Sequence, residues 1–369
     1  MNRIRAQIVS LTLILVSPVF AQSDILSIDH YVANVSTAPS MTGEMAQIYV
    51  RERVATDTGA KPVVLFIHGA GTPAEVAFDV PYPGYSWMEY LAAAGFDTFA
   101  MDTTGYGRST RPHIMNNVCN LAEAQQQDFV PHVIAATCAA DYSFAATTIE
   151  SDWDDIDAVV EYLRKLRNVE TVHLVAWSLG GPRAAGYTVR HPEKVDRLVL
   201  LAPAYNRSAS LNPPASLPAP GVAYNKQSFV DFSTNWERQI GCDNQYSDDV
   251  KNAVWGAMLE SDPVGAAWGT GVRRAPVTTV WGWNQEVVSK TMHPMLVVSP
   301  VHDAQIPAAR VRDLYDDLGT EQKVLLDLAC TSHNAMWESN RELLFDASLQ
   351  WLRDGAVDGI KQGEIRKGY

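Results

Sequence analysis

Val172-His173-Leu174-Val175-Ala176-Trp177-Ser178-Leu179-Gly180-Gly181 is the stretch whose reading decides the fold. Residues 172–176 form a short, mostly apolar run that suits a strand buried on both faces. A helix follows from Ser178 to about Arg190. A serine placed between a strand and a helix sits on a sharp, strained turn with its hydroxyl exposed. Ala176 and Gly180, two positions to either side, are small enough to let turn and helix approach closely. The pattern small-x-Ser-x-Gly arises often by chance, and its place between a strand and a helix is what gives it meaning. The plainer role for Ser178 is a helix N-cap, which the order of the other rim residues argues against.

Outward from this turn the same alternation repeats. Residues 25–54 hold two strand-like stretches, including the alternating Gln47-Ile48-Tyr49-Val50-Arg51. The apolar run Val63-Val64-Leu65-Phe66-Ile67 stops at His68-Gly69-Ala70-Gly71. Residues 85–94 read as a helix closed by Gly95, and residues 96–101 as a strand. Ile156, Val159, Val160, Leu163 and Leu166 mark a helix over 152–167 by their i, i+3, i+4 spacing. Strands at 198–201, 295–299 and 324–328 alternate with helices at about 306–318 and 338–353. Strands alternating with helices imply crossover units and a mainly parallel α/β sheet, helices on both faces. Ligands bind such sheets beyond the carboxyl ends of the strands. His68, Ser178, Asp303 and His333 each follow a strand and so share one rim.

A serine hydroxyl is a poor nucleophile until a base takes its proton. His333, in Cys330-Thr331-Ser332-His333-Asn334, is the candidate base. Asp303, in His302-Asp303-Ala304-Gln305-Ile306-Pro307, is the carboxylate that would orient it. Asp327 is a rival acid, but it falls inside a strand. With the Ser178 turn, Asp303 and His333, the segments His68-Gly69-Ala70-Gly71 and Asp102-Thr103-Thr104-Gly105-Tyr106-Gly107-Arg108-Ser109 give residues 61–355 a form that resembles the α/β-hydrolase superfamily. Ala176 stands where that family's elbow has its first glycine. The resemblance implies an eight-stranded sheet and the chain order Ser, Asp, His. It also implies an oxyanion hole built from the backbone N–H groups of Ala70 and Leu179. His68 is read as organising its loop, and Asp102 with Gly105 and Gly107 as shaping a turn.

Two excursions break the rhythm. Residues 110–148 form an inserted loop. Residues 206–284, which open on a Pro-rich run and contain Trp236, Trp255, Trp268, Trp281 and Trp283, read as a cap. The core is then residues 22–205 together with 285–369. Tryptophans are more often core than pocket wall. Their density, with Trp177 beside the nucleophile, nonetheless points to a partly aromatic pocket for a small molecule with an apolar or aromatic group.

The 369 residues are 47% hydrophobic and 19% charged, as expected of a compact domain. Arg3 and Arg5, an apolar run and Val19-Phe20-Ala21 give residues 1–21 the form of a cleaved secretory signal, with a retained anchor as the alternative. Those residues hold two arginines and no acid, so their removal takes the formal charge from −13 to −15. That balance argues against nucleic acid or a stable membrane association. A periplasmic or secreted chain can carry disulfides. Of the three pairings open to four cysteines, Cys119–Cys138 closes a local loop and leaves Cys242–Cys330 by elimination. No spacing suggests a metal and no dinucleotide motif suggests a cofactor; the oligomeric state is not legible. The function these residues favour is hydrolysis of a carboxylic ester or lactone through an acyl-enzyme. Amide, thioester or carbon–carbon cleavage on the same triad, and a non-catalytic binding protein, are the alternatives.

Overall fold

The computed structural model describes residues 24–215 and 222–369. The expected signal segment, residues 1–21, lies outside them. Thirteen strands are described: β1 Ile25–Val35, β2 Met45–Ala55, β3 Val63–Ile67, β4 Asp97–Met101, β5 Thr147–Thr148, β6 Val172–Trp177, β7 Val195–Leu201, β8 Tyr224–Gln227, β9 Arg273–Pro276, β10 Thr278–Thr279, β11 Met295–Pro300, β12 Lys323–Leu328 and β13 Gly363–Lys367. The helices are α1 Ala74–Phe78, α2 Trp87–Ala93, α3 Glu123–Gln126, α4 Ile149–Arg167, α5 Gly180–Arg190, α6 Phe229–Glu237, α7 Asp248–Glu260, α8 Pro263–Ala266, α9 Gln285–Val288, α10 Ala308–Asp317 and α11 Arg341–Asp354.

Nine strands form the central sheet in the order β1-β2-β4-β3-β6-β7-β11-β12-β13, one more than the eight expected. The extra edge strand, β13, pairs parallel with β12. Its sequence, GEIRK, buries only Ile365 and so carries no apolar run to announce it. β2 runs antiparallel to both of its neighbours, and every other pairing is parallel. All five residues of β3 and all six of β6 are buried, as strands covered on both faces must be.

Alternate side chains feed two cores. Val64 and Phe66 of β3 pack with α1, α2 and α11 on one face. Val63, Leu65 and Ile67 pack with α4, α5 and α10 on the other. Between β7 and β11 the chain leaves the sheet for α6, α7 and α8, which lie between the antiparallel pair β8 and β9. The two excursions meet in a third cluster, where Met115, Val118, Leu121 and Phe129 pack on Tyr224, Trp268 and Val272. Cys119–Cys138 and Cys242–Cys330 are both paired, with Cα atoms 5.2 and 5.7 Å apart. The second pair ties the 206–284 segment to the loop after β12. Among the described residues no helix is long and apolar enough to cross a membrane.

Candidate active site

β6 ends at Trp177 and α5 begins at Gly180, leaving Ser178 and Leu179 as the turn. Ser178 has φ 56°, a left-handed conformation that a non-glycine residue adopts only when its surroundings impose it. Two glycines make room for it. A Cβ on Gly180 would collide with the carbonyl oxygen of Ile67, and one on Gly69 would lie 2.8 Å from the Ser178 Cβ. Ala176 is wholly buried within β6, so the elbow holds with alanine in place of glycine.

Asp303 and His333 come from the loops after β11 and β12. His333 Nδ1 lies 2.7 Å from Asp303 Oδ2, and both side chains are almost fully buried. The other carboxylate oxygen of Asp303 accepts from the backbone N–H groups of Gln305 and Ile306, each at 2.8 Å. With both oxygens occupied the carboxylate is fixed, and it holds the imidazole with its proton on Nδ1. Since β6, β11 and β12 run parallel, Ser178, Asp303 and His333 emerge on one edge of the sheet.

Trp177 corrects one expectation. It is buried, its Nε1–H donates to the His333 carbonyl at 2.8 Å, and its ring packs 5.2 Å from the imidazole. It supports the histidine loop, and it is not among the residues lining the cavity at Ala70 and Gly71. Trp236, Trp255, Trp268, Trp281 and Trp283 are likewise buried in the cores. The cavity that reaches the turn at Ala70 and Gly71, about 620 Å³ in volume, is instead lined by polar and charged side chains, among them Asp128, Lys226, Asp231 and Arg273. Among the described residues Tyr106 is the one aromatic side chain on this cavity wall, and none of the six tryptophans lines it.

The turn His68–Gly71 is braced in a way the sequence does not announce. Arg183, from the buried side of α5, has no exposed surface. Its Nε donates to Asp152 Oδ2 at 2.7 Å, and its Nη1 to the carbonyls of His68 and Gly69 at 3.0 and 3.1 Å. His68 Nδ1–H donates to the Gly69 carbonyl at 2.7 Å, and Nε2 accepts from Thr103 N–H at 3.1 Å. Burial, and the Arg183 charge beside it, hold its pKa well below the ordinary histidine value, so it is a neutral strut. The backbone N–H groups of Ala70 and Leu179 have no acceptor among the described residues. Both lie at the start of α5 or against it, where the helix dipole favours negative charge.

The histidine loop has its own buried supports. Gln239 Oε1 accepts from the N–H of Ala304 at 3.1 Å and of His333 at 3.4 Å, bridging the two loops. Glu338 accepts from Ser332 N–H and Oγ, Trp236 Nε1 and Gln245 Nε2. Burial pushes its carboxyl up, and these four donors oppose that.

Comparison with known proteins agrees with this architecture. The family model described as α/β hydrolase fold matches residues 62–284. The chain is 29% identical over 144 residues to a probable 1-acylglycerol-3-phosphate O-acyltransferase of Oryza sativa subsp. japonica, covering 39% of this chain and 25% of the relative. It is 27% identical over 158 residues to a probable lysophospholipase of Arabidopsis thaliana, covering 43% of this chain and 26% of that one. The chain thus matches about a quarter of the length of these curated relatives. A serine hydrolase involved in carbazole degradation superposes with a TM-score of 0.52 at 19% identity, covering 88% of this chain and 99% of that one. A thermophilic esterase from Thermogutta terrifontis does so with a TM-score of 0.52 at 16% identity, covering 88% and 98%. At these identities the structural likeness bears on the fold.

Proposed function

This chain belongs to the α/β hydrolase fold family, and from that membership we propose that it hydrolyses a carboxylic ester or lactone through an acyl-enzyme. The observation that carries the reading is the 2.7 Å hydrogen bond between buried Asp303 and His333, on the sheet edge where Ser178 stands at positive φ. Ser178 Oγ attacks the carbonyl and His333 Nε2 takes its proton. Asp303 keeps the proton on Nδ1 and stabilises the imidazolium as it forms. The N–H groups of Ala70 and Leu179 receive the oxyanion, each worth about 2.7–4 kcal/mol in such sites. His333 then protonates the leaving alcohol, and water releases the acyl group by the reverse route.

Residues 206–284 act as a cap on the core of residues 22–205 and 285–369. Export to an oxidising compartment, with residues 1–21 as the signal, accords with the two paired cystines. The test is labelling of the purified mature protein with a fluorophosphonate, followed by peptide mass mapping. An adduct is expected on Ser178, absent from Ser178→Ala and from His333→Ala. Folded protein that takes no label at about pH 8 would refute the reading.

A further inference from the structure

The turn that carries Ala70 ends at Gly71, and there an arginine from the β8–β9 pair arrives. Arg273 opens β9. Its Nε donates to Gln227 Oε1 at 2.9 Å, across the β8–β9 pair. Neither Nη1 nor Nη2 has a hydrogen-bond or ion-pair partner among the described residues, although the side chain lines the cavity. The guanidinium lies flat against the bare Cα of Gly71, where a Cβ would sit 2.6 Å from Cζ. The next residue, Arg274, is by contrast saturated: its Nη2 and Nε reach the two oxygens of Asp262 at 2.6 and 3.0 Å.

The two free nitrogens face the cavity and not the sealed interior, so water solvates them until a ligand takes its place. Among the described residues no other side chain on the cavity wall forms an ion pair with the guanidinium. Lys226 is paired with Asp128 and lies 3.9 Å from Asp231, and Asp231 accepts from the N–H and hydroxyl of Ser228. Burial pulls the Arg273 pKa down only to about 10, so the group is charged at neutral pH. Its two free nitrogens offer the parallel donors that a carboxylate takes bidentately. Two aspartates on the same wall disfavour a dianion, which leaves a monoanion as the fitting ligand.

We propose that Arg273 is a specificity residue that binds a free carboxylate on the substrate, so that the preferred esters are hemiesters of short dicarboxylic acids. The proposal rests on the ester-hydrolase reading of Ser178. Reach supports it: Ser178 abuts Gly69 and Arg273 abuts Gly71, and two Cα steps span at most about 8 Å. A short diacid chain bridges that interval, with one end at the oxyanion donors and the other at the guanidinium.

The experiment compares kcat/KM for 4-nitrophenyl hydrogen glutarate and 4-nitrophenyl pentanoate in wild type, Arg273→Met and Arg273→Lys. Wild type should prefer the glutarate ester. The glutarate-to-pentanoate ratio should fall about 100-fold in Arg273→Met, the scale of a lost charged hydrogen-bonded pair, and recover in part in Arg273→Lys. Equal losses on both esters would make Arg273 a brace for the turn and overturn the proposal. A separate arm needs no turnover: calorimetric titration of Ser178→Ala with monomethyl glutarate, a monoanion, and of the Ser178→Ala, Arg273→Met double variant. Binding that disappears with Arg273 upholds the carboxylate site even if neither ester is hydrolysed. Binding indifferent to Arg273, or weaker for monomethyl glutarate than for inorganic phosphate, overturns it.

Discussion

Arg183 and Arg273 both touch the four-residue turn His68–Gly71, and they differ in whether a carboxylate meets the guanidinium. Arg183 is sealed in the interior with a carboxylate beside it and carbonyls in front of it. Arg273 stands at a cavity wall with one neutral partner and two idle nitrogens. Arg183 keeps one bare nitrogen, Nη2, but the Asp152 carboxylate meets its charge inside the protein, so this first arrangement needs no ligand. The second leaves a charge unresolved where a ligand would enter. A guanidinium's place near a site therefore says little until its donors have been assigned one by one.

The comparison breaks first on stability. Arg183→Met strands Asp152 as an unpaired buried carboxylate, and a cost of about 3–5 kcal/mol is expected in urea denaturation. The double variant Arg183→Met, Asp152→Leu should recover most of that loss, because the uncompensated charge goes with its partner. Arg273→Met should cost less than about 1 kcal/mol, since no ion pair is lost. Similar costs for the two arginines would erase the distinction between them.

A smaller effect isolates the contact at Gly71. Gly71 and Gly43 share φ +83°, but a Cβ on Gly43 meets nothing within 4 Å, whereas one on Gly71 overlaps the Arg273 guanidinium. Gly43→Ala measures the backbone penalty alone, about 1 kcal/mol. Gly71→Ala should cost about 1 kcal/mol more and should also lower the preference for the anionic ester, because the guanidinium must move. If the two variants behave alike in both respects, Arg273 does not depend on the bare Cα.

What the sequence made legible follows the same division. Ser178, Asp303 and His333 could be picked out because each follows a run of buried apolar residues, and a run that stops at a loop marks the rim whatever lies elsewhere. Arg183, Asp152, Gln239 and Glu338 could not. Their meaning lies in partners 31 to 115 residues away or in a neighbouring loop, and no local pattern records it. A charged residue amid the small ones of α5, at Pro182-Arg183-Ala184-Ala185-Gly186, was the one available hint that an arginine lay inside. The tryptophans misled in the opposite sense. Their density in 206–284 is real, but it reports how the excursion is packed on the core, with the Trp236 and Trp337 rings 5.6 Å apart. The cystine Cys242–Cys330 was reached by elimination, and it links that excursion to the histidine loop.

The two sides of the turn should also answer differently to acid, and this is the smallest effect. On the Arg183 side, His68 is held neutral: its ordinary value is 6.5 and its folded value lies well below. Between those two values the unfolded chain binds a proton that the folded one does not, so this contribution to stability is present above 6.5 and is lost as the pH falls. Asp102 and Asp155, pushed up by burial to about 7, tilt the total the other way, because the folded state holds their protons from the ordinary 3.8 upward. The His68 part is therefore visible only as a difference between wild type and His68→Gln. The stability advantage of wild type should shrink by about 1 kcal/mol between pH 6.5 and about pH 5.5. On the other side the Arg273 guanidinium stays charged up to about 10. The glutarate-to-pentanoate ratio, measured over the same interval, should stay flat once the glutarate carboxyl is ionised. An advantage that does not change with pH would mean that His68 titrates like an exposed histidine, and the sealed side of the turn would then be open to water.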